Sequence, residues 1–153
     1  ASIAVSIDGQ NVNFGDIKPF IDSNNRTMVP LRPIAEAMGL VPEWNSDEKT
    51  AYFKEMKEYD EKPEGAYTDY TYISFKIGEN MYYSGYHQDP NGETLAVVGR
   101  ADGHNMDTAA IIKDGYTYAP IKYLAEWQGY SAKWDSNTKT VTLTPRDPFD
   151  FSE

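Results

Sequence analysis

The hydrophobic positions of this chain change period in a definite order. Ile3, Val5 and Ile7 alternate with polar residues, Asp8-Gly9 supplies a hairpin turn, and Val12 and Phe14 resume the alternation. Phe20-Ile21 and Arg26-Thr-Met-Val29 flank the turn-forming run Asp22-Ser-Asn-Asn25 and make a second hairpin. The period then lengthens: Leu31, Ile34, Ala35 and Met38 fall at i, i+3, i+4 and i+7, one stripe of a short helix. Pro30 stands at the helix start, where a missing N–H is tolerated, and Gly39 ends the helix as its C′ residue. A helix of about two turns is not stable alone, so it needs a sheet to lie on. A strand ending at Trp44, a polar turn over Asn45-Ser-Asp-Glu48 and a returning strand Thr50-Ala-Tyr-Phe53 follow. The predicted order is β-β-β-β-α-β-β.

The same pattern returns ninety residues later. Thr27-Met-Val-Pro-Leu-Arg-Pro-Ile-Ala-Glu-Ala-Met-Gly39 aligns with Thr117-Tyr-Ala-Pro-Ile-Lys-Tyr-Leu-Ala-Glu-Trp-Gln-Gly129 without a gap. Thr, Pro, Ala, Glu and Gly coincide, and the register continues from Trp44-Asn-Ser-Asp-Glu-Lys-Thr50 into Trp134-Asp-Ser-Asn-Thr-Lys-Thr140. A rare Trp, a Pro and a Gly sharing one offset indicate a duplication. The second helix carries the stripe Ile121, Leu124, Ala125 and Gln128, starts at Pro120 and ends at Gly129. Because Trp44 and Trp134 recur with the pattern, they read as core anchors beneath the helices. Pro30, Pro120, Gly39 and Gly129 read as structural for the same reason.

The fold class expected is α+β: two repeats, each an antiparallel sheet of short strands and hairpins packed by one short helix. The first repeat covers 1–54 and the second 67–145. Tyr72-Ile-Ser-Phe-Lys-Ile-Gly78 matches the first strand at an offset near seventy, so about twenty extra residues lie between Met81 and Asp107. Around the apolar run Leu95-Ala-Val-Val98 they read as a longer hairpin with an additional strand. Residues 55–66 are charged, carry Pro63 and Gly65 and lack an apolar stripe, which describes a solvent-exposed linker. Residues 146–153 read as an irregular tail.

Composition narrows the function. A net charge of −10 disfavours nucleic-acid backbones and anionic lipid headgroups. No apolar run approaches the roughly 20 residues of a membrane span. The absence of cysteine removes thiolate metal sites, thiol catalysis and disulfides. The opening Ala1-Ser2-Ile3 enters a strand directly, as a trimmed mature protein would. Twelve tyrosines leave an aromatic surplus suited to half-buried sheet faces and to wet binding surfaces.

The block from Thr27 to Gly39, followed by Trp44-Asn45 and Lys49-Thr50, resembles the signature of the copper amine oxidase N-terminal-like domain. The second block resembles it less closely, with Lys122 for Arg, Tyr123 after it and Ala119 before Pro120. The resemblance implies a small stalk-like α+β unit, carried in tandem by exported and cell-wall proteins of Gram-positive bacteria. It implies no cofactor, since the copper and the quinone of amine oxidases belong to a separate catalytic domain. No Asn-Tyr-Asp/Glu quinone motif occurs here, and His87 and His104 are the only histidines.

Candidate chemistry is accordingly sparse. His87 and His104 lie near Asp89, Asp102 and Asp107, a ligand set for zinc or copper, but loop histidines of this kind are ordinarily solvated. Asp89-Pro-Asn-Gly-Glu93 lacks the ligand ladder of a calcium loop and reads as a turn. Glu36 and Glu126 recur with the helices, which marks them as fold devices rather than catalysts. Tyr67, Tyr70 and Tyr72, with Tyr82, Tyr83, Tyr86 and His87, form the remaining candidate ligand surface. The chain is expected to be a non-enzymatic extracellular or cell-surface binding or spacer module. Its expected partners are other domains of a parent protein or cell-envelope components. A glycan held by the insertion tyrosines is the second reading, and a small hydrolase or metal-dependent enzyme the third.

Overall fold

A computed structural model of the chain describes residues 3–56, 67–90 and 102–146, with side chains described for all of these except 67–69 and 87–90. The chain opens with β1 (Ala4–Ile7), β2 (Gln10–Asn11), β3 (Phe20–Ile21) and β4 (Thr27–Pro30), then α1 (Leu31–Ala37). Next come β5 (Val41–Asn45), β6 (Thr50–Met56), β7 (Tyr67–Lys76), β8 (Met81–Pro90) and β9 (Asp102–Asn105). The last part runs β10 (Ile111–Lys113), β11 (Tyr116–Pro120), α2 (Ile121–Trp127), β12 (Tyr130–Asp135) and β13 (Thr140–Pro145). Strands far outweigh the two helices of seven residues each. The expected linker contributes Glu55 and Met56 to β6, while residues 57–66, Leu95–Val98 and the tail beyond Arg146 lie outside the described residues.

Local signals act alike in the two matched segments. Pro30 (φ −66°, ψ 120°) and Pro120 (φ −59°, ψ 132°) are the N-caps, one residue ahead of the expected first-turn position. A proline offers no side-chain capping bond, so these helices rest on packing. Leu31, Ile34 and Ala35 of α1, and Ile121, Leu124 and Ala125 of α2, are buried. Each such Leu or Ile contributes about 1.5–3 kcal/mol relative to exposure. Gly39 (φ +81°) and Gly129 (φ +84°) follow the helices in the left-handed region, where an L side chain is strained. Both later turns place a lysine at φ +51°, Lys49 and Lys139, and in both a threonine hydroxyl donates to a carbonyl two residues back.

The chain divides into two compact units, Ala1–Met38 with Ile111–Glu153, and Gly39–Ala110. The first holds two four-stranded sheets, ordered β12-β13-β1-β2 and β10-β11-β4-β3, together with both helices. At the centre of the second sheet β4 and β11 run antiparallel, with Val29 opposite Ala119. Those two residues hold the same place in the matched segments, and the flanking pairs Met28↔Pro120 and Pro30↔Tyr118 exchange across them. The register is that of a local twofold. Tyr118 is 1% exposed, and its hydroxyl donates to the Lys18 carbonyl at 3.1 Å. Each unit therefore draws strands from both sequence blocks, 1–54 and 67–145.

Two expectations are corrected. Pairing is antiparallel throughout the named strands except between β1 and β13, which are parallel with Ala4 opposite Thr140. β12 occupies one side of β13, and no hairpin links β1 to the other side, so no turn imposes an antiparallel direction. Second, Trp44 and Trp134 are not core anchors: they are 45% and 42% exposed. Both stand on edge strands, β5 and β12, opposite the buried Ala51 and Val141. The indoles face the core side, but among the described residues no further strand pairs beyond β5 or β12 to cover them.

Candidate functional site

The second unit carries a five-stranded antiparallel meander, β5-β6-β7-β8-β9. Successive side chains of a strand point to opposite faces, and directly paired residues share a face. One face contains Ala51, Phe53, Ile73 and Phe75, all buried. The other contains Thr50, Tyr52 and Lys54 of β6, Tyr70, Tyr72, Ser74 and Lys76 of β7, and Tyr83 of β8, through the pairs Tyr52↔Ser74, Lys54↔Tyr72 and Ser74↔Tyr83. Strand alternation thus divides the candidate tyrosines. Tyr83 is on the open face, whereas Tyr82 and Tyr86 are on the core face.

Tyr82 stacks on Phe75, with centroids 5.9 Å apart, and on His104 at 4.7 Å. The His104 Nε2 lies 3.1 Å from the Ser84 hydroxyl. His104 is engaged in the sheet, and among the described residues no three His, Asp or Glu side chains converge on one point. The side chains of Tyr67, His87 and Asp89 lie outside the described residues. Tyr52, by contrast, joins the open face although nothing in the sequence marks it. It comes from the first block and meets Tyr72 only through the β6–β7 register, with ring centroids 5.8 Å apart.

Glycines lay the rings down on this face. Gly85 pairs with Tyr72, and a Cβ there would sit 2.8 Å from the tyrosine oxygen and 3.0 Å from its ring. Gly103 pairs with Tyr83, and its Cβ would meet that ring at 3.1 Å. Each ring leans over the neighbouring strand where the neighbour has no side chain. Tyr70 is held differently: the Lys54 ammonium lies 4.6 Å from its ring centre and also pairs with Glu43.

Ser74 sits between Tyr52 on one side and Tyr83 on the other. A small residue between two large ones leaves a recess of about 250 Å³, walled also by Tyr72, Lys76, Glu48 and Glu79. Ser74 is 4% exposed, and its hydroxyl has no hydrogen-bond partner among the described residues. Leaving such a group unpaired costs about 1–3 kcal/mol, so the floor of the recess favours a hydroxyl or water from outside. At the rim the Tyr52 hydroxyl donates to Glu48 Oε2 at 3.0 Å. Its pKa is pushed up to about 12, first by burial and then by that bond. Burial, followed by Tyr70, raises Tyr72 as well.

A larger cavity of about 890 Å³ opens in the first unit beside Asp8, Asn11, Asn13, Arg32, Glu36 and Tyr116. Among its described lining residues Arg32 is the one cation, and its Nε donates to Glu36 Oε1 at 3.0 Å across one helical turn. The smaller recess combines tyrosine rings, a buried hydroxyl with no partner among the described residues and rim charges of both signs.

A model of the copper amine oxidase N-terminal domain matches residues 6–143 in one stretch. No curated protein and no solved structure matches the chain.

Proposed function

Since the chain belongs to the copper amine oxidase N-terminal domain family, we propose that it is a non-catalytic binding or spacer module of a larger exported protein, displayed at the cell surface. The observation that carries this reading is the family match, because that domain is the family's non-catalytic stalk. The chain's partners are other domains of the parent protein or components of a Gram-positive type envelope. Binding takes place on the tyrosine-lined face of the β5–β9 sheet.

We also read residues 1–54 and 67–145 as diverged copies of one unit. Equivalent caps, left-handed turn lysines and the twofold register about Val29 and Ala119 support that reading.

Two assays test the proposal together. The purified chain, supplied with copper and a primary amine, is expected to release no hydrogen peroxide. Antibody against the chain is expected to label intact, unpermeabilised cells that carry the parent protein. Turnover, or labelling only after permeabilisation, would contradict it.

A further inference from the structure

The recess over Ser74 has features that narrow its ligand. Two of its walls are the Tyr72 and Tyr83 rings, which lie close over Gly85 and Gly103 where no side chain intervenes. Its floor is the buried Ser74 hydroxyl, which has no hydrogen-bond partner among the described residues. Its rim mixes the Lys76 ammonium with the Glu48 and Glu79 carboxylates, supplying donors and acceptors within reach of one small ring.

We propose that this recess binds one residue of an uncharged polysaccharide, with the sugar's C–H face stacked on a tyrosine ring and one hydroxyl bonded to Ser74. This rests on the reading of the chain as a non-catalytic binding module and names the ligand of that site. A pyranose presents an apolar C–H face and a girdle of hydroxyls that both donate and accept, which matches rings below and mixed polar groups around. Charge selects the neutral class. Two carboxylates and one ammonium at the rim, on a chain of net charge −10, repel phosphate- and uronate-bearing polymers. Position argues against an extended peptide. A peptide adding as a strand needs a free sheet edge, whereas Ser74 lies on the central strand of five. The site also differs from a set read along one strand: Tyr52, Tyr72 and Tyr83 come from three strands, and Tyr82 and Tyr86 take no part.

Affinity gel electrophoresis of the whole chain tests this, using a soluble β-glucan, a mannan, a xylan, an anionic uronan and a polymer-free gel. At least one neutral polymer is expected to retard the chain. Tyr83→Ala and Ser74→Val are each expected to weaken that retardation roughly tenfold or more. Trp134→Ala, in the other unit, is expected to have no effect on retardation. Melting curves accompany each variant, and Tyr83→Phe, which keeps the ring, is expected to restore most of the retardation lost in Tyr83→Ala, which separates loss of the stacking ring from failure to fold. Retardation by the uronan alone, or capture of a peptide lost in Tyr83→Ala, would overturn the sugar assignment and leave the binding-module reading standing. Absence of retardation by all neutral polymers would overturn the assignment too. Hydrolysis of any polymer would overturn the underlying non-catalytic reading instead.

Discussion

The two matched segments contribute to both compact units, and the two units are built differently. In the first, equivalent strands β4 and β11 meet at the centre of one sheet, and the buried faces of α1 and α2 add to the core. Helices and paired sheets leave Tyr118 almost wholly covered. In the second, a single meander buries Phe53, Ile73 and Phe75 on one face and turns tyrosines and glycines outward on the other. A matched sequence therefore does not require a matched environment: each hairpin after a helix keeps its turn but enters a different sheet.

The largest effects separate the two cores. Leu124→Ala in the first unit should cost about 2–5 kcal/mol, and Phe75→Ala in the second about 3–5 kcal/mol, in urea unfolding. If Phe75→Ala were neutral, the core face assigned to the meander would be wrong. The edge indoles come next. Trp44→Ala and Trp134→Ala should cost about 1–2 kcal/mol each, below the ~3–5 kcal/mol of a buried aromatic, because each is nearly half exposed. A loss at the buried level in either one would restore it as a core anchor.

Glycine substitutions then probe what the units share. Gly39→Ala and Gly129→Ala have open space around the new methyl group and pay only for the left-handed backbone, about 1 kcal/mol each. Unequal costs would show that the two helix ends are not equivalent. The smallest effect at neutral pH concerns Tyr52. Its folded pKa of about 12 lies above the ordinary 10, so the unfolded chain ionises first as pH rises. That contribution to stability is complete below pH 10 and is lost as pH climbs towards 12. Tyr52→Phe should therefore lose less of its urea midpoint than the parent between pH about 9 and about 11.5. Parallel losses would mean that Tyr52 is not held in the partly buried, Glu48-bonded position described.

What could be read from the chain followed the range of the signal. Pro30 with Gly39, Asp8-Gly9 and the run Asn45–Lys49 act within a few residues, and the elements they delimit stand close to where they were expected. Asp114-Gly115 is an equally local hairpin signal, with Asp114 at φ 52° and Gly115 at φ 81°, and it joins β10 to β11. The parallel β1–β13 pair and the mixing of both blocks in each unit depend on which sheet edges meet, which periodicity does not encode. The indoles mislead for a related reason: alternation tells which face a side chain takes, not whether a further strand covers it. In the candidate site, Tyr82 and Tyr83 are adjacent in sequence and hence on opposite faces, a division that alternation alone predicts. Tyr52 could be added only through cross-strand register. Ser74 became visible only as a buried hydroxyl between two rings.

The most direct measurement is a backbone NMR titration of the whole chain with a short neutral oligosaccharide from whichever polymer retards it. The account predicts saturable shifts clustered at Tyr52, Ser74 and Tyr83, on three adjacent strands, with α1 and β4 unchanged. Shifts centred instead on the cavity beside Arg32 and Glu36, or spread without pattern over both units, would contradict it.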